Sequence, residues 1–173
     1  FMEKFYFTLV TFLFLAIANA QIVNIPDANF KARLLAASPS NTIASTQTPV
    51  YNSSTNSWTV SSYNKIDTNN DGQIQVSEAQ MIKYLKVDSS NITNLQGIAN
   101  FSNIIYLDCS SNQLPSLNVQ GLTNLQSLDC SSNQLPSLNV QGLTNLQSLD
   151  CSGNQLPSLN VQGLTNLHVF SCS

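Results

Sequence analysis

The chain has 173 residues, enough for one ordinary domain, and only 9% are charged, with a net charge of −3. Six Lys and Arg in all leave no basic surface that could hold nucleic acid by neutralising phosphates. The apolar share of 42% is ordinary for a globular fold, although part of it lies in an N-terminal segment that reads as removable.

In that segment Lys4 supplies a positive start, and Phe5 to Ala18 form an apolar run broken only by two Thr residues. Ala18-Asn19-Ala20 then offers a small-x-small cleavage site. The run is shorter than the roughly twenty residues a membrane span needs. Residues 1–20 therefore read as a signal peptide, the mature chain starts at Gln21, and the product is secreted or held at the cell surface. No later run is long enough to span a membrane.

Residues 21–84 read as a helical cap. Ile25 to Leu35 predict a short amphipathic helix with Phe30, Leu34 and Leu35 on one side. Residues 38–64 are a Ser/Thr/Asn-rich insertion. Within it, Val50-Tyr51 and Trp58-Thr59-Val60 flank a polar turn and predict a small hairpin, its two aromatics packed against the cap. Asn52, Asn91 and Asn100 sit in N-x-[ST] sequons, which matter only in a source that glycosylates.

Residues 67–78, DTNNDGQIQVSE, match the twelve-residue EF-hand loop D-x-[DN]-x-[DN]-G-x5-E at every constrained position. Asp67, Asn69 and Asp71 would offer side-chain oxygens, Gln73 its backbone carbonyl, Gln75 a water, and Glu78 a closing bidentate carboxylate. Gly72 permits the sharp turn and Ile74 points to the core. One Ca2+ ion stapling the cap is expected. A single loop without an incoming helix argues against a sensor role, since switching uses paired hands. A second helix is predicted from Ser77 to about Tyr84.

Residues 85–173 are repeats. The string LDCSSNQLPSLNVQGLTNLQS spans 107–127, recurs unchanged at 128–148, and recurs at 149–169 with changes at Gly153, His168 and Val169. A degenerate earlier copy has Ile82, Leu85, Val87, Ser90 and Ile92. The unit fits the leucine-rich pattern L-x-x-L-x-L-x-x-N-x-L. Leu128 and Cys130 alternate with Asp129, so each repeat places a short strand with two side chains inward and one outward. The predicted fold is an α/β solenoid: a leucine-rich-repeat horseshoe with short parallel strands on its concave face and a small helical N-terminal cap. Asn112, Asn133 and Asn154 turn inward to satisfy backbone groups. The ladder breaks off at Ser173, leaving a last strand uncovered, so the chain reads as truncated and open to edge-to-edge self-association.

Cys109, Cys130, Cys151 and Cys172 share one ladder position. In-register parallel neighbours stand about 4.8 Å apart with parallel Cβ vectors, a geometry unsuited to disulfides, so a column of buried thiols is expected. Asp108, Asp129 and Asp150 form an outward column. It reads as a solvated acidic stripe, with a docking line for a basic partner or second cation as the alternative. A single His and buried thiols offer no catalytic set, so no enzyme activity is expected.

The run LDCSxNQLxxLxVxGLTNLQ, the IPDANFKARLL segment and the DxNxDGxIQVSEA loop together resemble the secreted Cys-type leucine-rich-repeat proteins of bacteria. The cap-plus-repeat layout is similar to that of the internalins. The resemblance implies a curved binding protein at or beyond the cell surface that recognises a protein ligand on its concave face. Carried onto this sequence, that face includes Tyr106, Asp108, Ser110, Gln126, Asp129, Ser131, Gln147, Asp150, Ser152 and His168. The expected function is extracellular binding or adhesion. Two alternatives stay open: the non-catalytic N-terminal part of a longer secreted enzyme, and a calcium-dependent matrix protein.

Overall fold

The computed structural model describes residues 21–55 and 57–172. The signal-peptide reading of residues 1–20 lies outside them. Helix α1 (Ala28–Leu35) buries Phe30 and Leu34 on one side, as their four-residue spacing requires. Asp27 caps it, its carboxylate accepting the Phe30 N–H at 2.8 Å. The same carboxylate reaches the first coil, accepting from Thr93 N and Oγ1 and from Asn94 N at 2.8–3.1 Å.

Strand β1 (Ala44–Ser45) follows, then a hairpin of β2 (Val50–Asn52) and β3 (Ser57–Thr59). Helix α2 (Val76–Met81) is shorter than its expected extent to Tyr84. Ile82 takes an extended conformation, and Lys83 donates its N–H to the Ser45 carbonyl at 2.9 Å. Pairing into the sheet wins over one more helical turn, and Tyr84 opens strand β4 (Tyr84–Lys86).

A 3₁₀ turn (Ile98–Asn100) leads to β5 (Tyr106–Asp108), β6 (Ser127–Asp129), β7 (Ser148–Asp150) and β8 (Val169–Ser171). Strands β4 to β8 pair parallel and in register, Leu85 beside Leu107, Leu128, Leu149 and Phe170. Strand β1 closes the first edge of this sheet by antiparallel pairing with β4. The fold is a leucine-rich-repeat solenoid with a minor helical cap.

The core runs unbroken from cap to array. Leu107, Leu128 and Leu149 are essentially without solvent exposure, as are Cys109, Cys130 and Cys151. Each fully buried Leu contributes roughly 2 kcal/mol by removal from water. The backbone of each coil is held by its ladder asparagine. Asn133 donates from Nδ2 to the Cys109, Cys130 and Ser131 carbonyls at 3.0–3.2 Å and accepts the Leu114 N–H at 3.0 Å. Asn112 and Asn154 repeat this bridge one coil before and after.

Cap and array meet tightly at Gly97. Its φ of +103° lies in the left-handed region, and a Cβ there would stand 2.9 Å from the Asn24 carbonyl oxygen. Among the described residues, no helix is long and apolar enough to cross a membrane.

Candidate binding face and calcium loop

Two outward columns run along the sheet. One reads Tyr84, Tyr106, Ser127, Ser148, Val169, and the other Lys86, Asp108, Asp129, Asp150, Ser171. The alternation that sends Leu128 inward sends its two neighbours to this face. Tyr84 and Tyr106 stack with ring centroids 4.5 Å apart, and Tyr63 meets Tyr84 edge-on at 6.0 Å. Burial pushes the Tyr106 phenol far above its usual range, with Asp108 adding to the shift, so it stays neutral.

The carboxylates of the second column share one local geometry. Asp129 Oδ1 accepts from Ser131 N at 3.0 Å and Oγ at 2.6 Å, and Asp150 does the same with Ser152. Asp108 holds Ser110 likewise. Ser110, Ser131 and Ser152 thus serve to orient the column.

The expectation of a solvated stripe fails at its first two members. Asp108 is only 3% exposed and is ion-paired with Lys86. Lys86 also faces Asp88 at 3.4 Å, and although its burial works against the charge, the two carboxylates hold its pKa above the ordinary value. Asp129 is half-buried, and desolvation, followed by repulsion from Asp108 and Asp150, raises its pKa. Beside Asp129 and Asp150 stands an arm that lines a cleft with them.

That arm is the 38–64 insertion. Its base is fastened by Thr46, whose N–H and hydroxyl donate to Asn64 Oδ1, and by Ser61, which donates to Gln47 Oε1. The predicted hairpin forms, pairing Tyr51 with Trp58, ring centroids 5.5 Å apart. Expected against the cap, these aromatics instead lie across the array, where Tyr51 meets the His168 ring edge-on at 6.5 Å. Short polar strands cannot bury two aromatic rings between themselves, so the hairpin borrows the nearest flat surface.

Between arm and sheet lies a cleft of about 260 Å³, lined by Tyr51, Ser57 and Trp58 on one side and Ser127, Asp129, Ser148 and Asp150 on the other. Gln126 and Gln147 are neighbours just outside it, with Gln147 Nε2 donating to Gln126 Oε1 at 3.4 Å. Sequence reasoning weighed Tyr51 and Trp58 as a contact patch but set them against the cap, and it passed over Lys86. Lys86 was readable in principle, since it stands one repeat before Asp108 at the same ladder position.

The expected thiol column forms at three of its four members, and the fourth, on the last strand, is not buried. Cys109, Cys130 and Cys151 are buried and free, and Cys172 is exposed and free. Burial, with the neighbouring carboxylates, pushes the Cys130 thiol up to about 12 and Cys109 and Cys151 upward as well. Such thiols remain protonated and act as small hydrophobes.

The 67–78 loop has the wrap that a cation-binding loop needs. Asn70 and Gly72 take φ of +62° and +75°. Asp67, only 5% exposed, accepts from Asp71 N and Gly72 N at 3.2 and 3.1 Å, and Asn69 Oδ1 accepts from Asp71 N. Ile74 is buried, and residues 21–23 pair beside 74–76 in place of a second hand.

The side chains fit less completely. Glu78 gives Oε1 to Thr68 N and Oγ1 and Oε2 to Gln75 N, capping α2. Gln75 donates its amide to Asp71, and the Gln73 side chain accepts from Lys31. Among the described residues, no group of three or more His, Cys, Asp or Glu is placed to hold a metal ion. The loop is closed by bonds between its own ends, and Glu78 would have to exchange them to act as a ligand.

No family model matches the chain, and no curated protein does. Solved structures do. The functional domain of InlJ from Listeria monocytogenes, described as including a cysteine ladder, is 33% identical over 58% of this chain and 22% of its own, with a TM-score of 0.57. An internalin, InlF, from the same species is 17% identical over 90% of this chain and 46% of its own, with a TM-score of 0.60. The chain spans less than half the length of either. The layout is internalin-like, with the column of Cys109, Cys130 and Cys151 as the point of closest chemical likeness to the former.

Proposed function

We propose that this protein is an exported, non-catalytic binding module that takes a protein ligand on the strand-lined face of its repeat array. The observation that carries the reading is the face itself. Five in-register strands present rows of amide, hydroxyl and carboxylate groups on a rigid frame, and the arm adds aromatic rings to them. The likeness to internalin repeats supports the same use. Cys109 and Cys130 offer no activated nucleophile, because burial holds these thiols protonated.

The test is capture from surface-protein extracts with the protein immobilised. Gln147→Arg on the strand-lined face should abolish saturable capture of a specific protein, and Thr144→Arg, exposed outside that face, should leave it intact. Capture that survives the first change and fails with the second would overturn the reading.

The calcium reading rests on the wrap of the 67–78 loop and the spacing of its donors. Asp67, Asn69, Asp71 and the Gln73 carbonyl would hold the ion, with Gln75 through water and Glu78 after release of its capping bonds. The ion would tie β-bridge, loop and α2 together. Calcium at about 10⁻³ M, the range of extracellular modules, should raise the melting temperature relative to EDTA, and Asp67→Ala should remove that rise. An unchanged melting curve disposes of the site.

A further inference from the structure

The cleft under the arm sets unmet charge on one wall against aromatic rings on the other. On the sheet side, Asp129 and Asp150 stand in register one strand apart, each spending Oδ1 on the serine two residues on. Among the described residues their Oδ2 atoms take no hydrogen bond, and no cation comes within 4.0 Å of either carboxylate. On the arm side stand the Tyr51 and Trp58 rings, centroids 5.5 Å apart. A half-buried anion pair without a cation is a costly arrangement.

We propose that this cleft seats a basic residue of an extended polypeptide segment of the partner. Its guanidinium or ammonium would lie between the Tyr51 and Trp58 rings and the Asp129 and Asp150 carboxylates. This rests on the protein-ligand reading above and names what such a ligand must carry.

The chain supplies its own precedent. One step earlier in the same column, Lys86 lies in register with Asp108 and pairs with it, so this face accepts a cation against its carboxylates. The next two steps have the carboxylates and no lysine, and there the aromatic arm takes the place above them. Aromatic rings facing carboxylates suit a cation twice over, by ring quadrupole and by charge. A neutral sugar would suit the rings and hydroxyls but would leave two charges unrelieved. The volume of about 260 Å³ accommodates one long side chain with its flanking backbone.

Trp58 is the chain's single tryptophan, so its emission reports on this cleft alone. The protein is titrated with the end-blocked tripeptide Gly-Arg-Gly, with the same peptide carrying citrulline for arginine, and with cellobiose. The arginine peptide should change the emission saturably, and the citrulline peptide should bind about tenfold more weakly. Asp129→Asn with Asp150→Asn should weaken the arginine peptide by about the same factor, with a melting curve to show that the variant folds. Trp58→Leu, which removes the ring, should weaken it about threefold by calorimetry. No saturable change, an equal response to citrulline, an undiminished response in the double variant, or a stronger response to cellobiose each overturns the proposal. Where the peptide fails while Gln147→Arg still abolishes protein capture, the seat falls and the binding function stands. Where capture fails too, both fall.

Discussion

The coil around Asn133 and the junction around Asp27 both join one turn of backbone to the next, and they use different chemistry to do it. In the array the fastener is a neutral amide. Asn133 serves three carbonyls and one N–H across two coils, and the identical sequence installs the same bridge at each step. At the junction the fasteners carry charge: Asp27 on the Thr93 and Asn94 amides, Arg33 on Asp88 at 3.6 Å, Lys86 on Asp88 and Asp108. A repeat can be copied because its bonds need nothing beyond its neighbour. The first coil has no such neighbour, so the cap must offer dissimilar groups of matching sign. The amide fasteners of the array should therefore ignore pH and salt, and the junction should answer to both.

The largest expected effect lies in the array. Asn133→Ala removes four hydrogen bonds from a buried position and strands their partners, which should cost about 3 kcal/mol. Urea unfolding at pH 7 and pH 5, with and without added salt, should give the same loss throughout. A loss that varied with salt would break the division between the two regions.

The junction comes next. Asp27→Ala uncaps α1 and releases the first coil, at about 1–2 kcal/mol. Burial alone would raise the Asp27 pKa, but the bonds from Phe30, Thr93 and Asn94 outweigh it and hold the group below the ordinary 3.8. A carboxylate depressed by folding stabilises the fold when ionised. Its contribution is complete above pH 3.8 and fades as the pH falls through the lower folded value. The stability difference between wild type and Asp27→Ala should thus shrink below that pH. An equal difference at neutral and strongly acid pH would mean that the cap acts by shape alone.

The same contrast governs what was legible in the sequence. The ladder leucines, the thiol column and the inward asparagines all followed from a period of 21 residues, because each position recurs at least three times. Helix α1 followed from the spacing of Phe30 and Leu34. The arm did not. Val50 to Thr59 predicts its own hairpin, but nothing in ten residues says which surface that hairpin covers, and the answer lies at His168. Strand β1 was missed because two residues carry no alternation. The end of α2 was misplaced because Lys83 answers to Ser45, a partner distant in sequence. Periodic contacts are written locally, and single long-range ones are not.

The smallest effect is the sharpest, because its sign changes along one column. Asp129 carries a pKa raised by desolvation and then by Asp108 and Asp150, so ionising it opposes folding. That penalty is present above the folded value and vanishes as the pH falls below the ordinary 3.8. Asp129→Asn keeps an oxygen for Ser131 and removes the repulsion, and should stabilise by about 0.5 kcal/mol at pH 7. Asp108→Asn, one strand earlier, strips Lys86 of its buried partner and should destabilise instead. Melting temperatures of the two variants at pH 7 decide it. If both rise, Lys86 is not neutralising Asp108; if both fall, Asp129 is already satisfied, and the array has no unmet charge to offer a ligand.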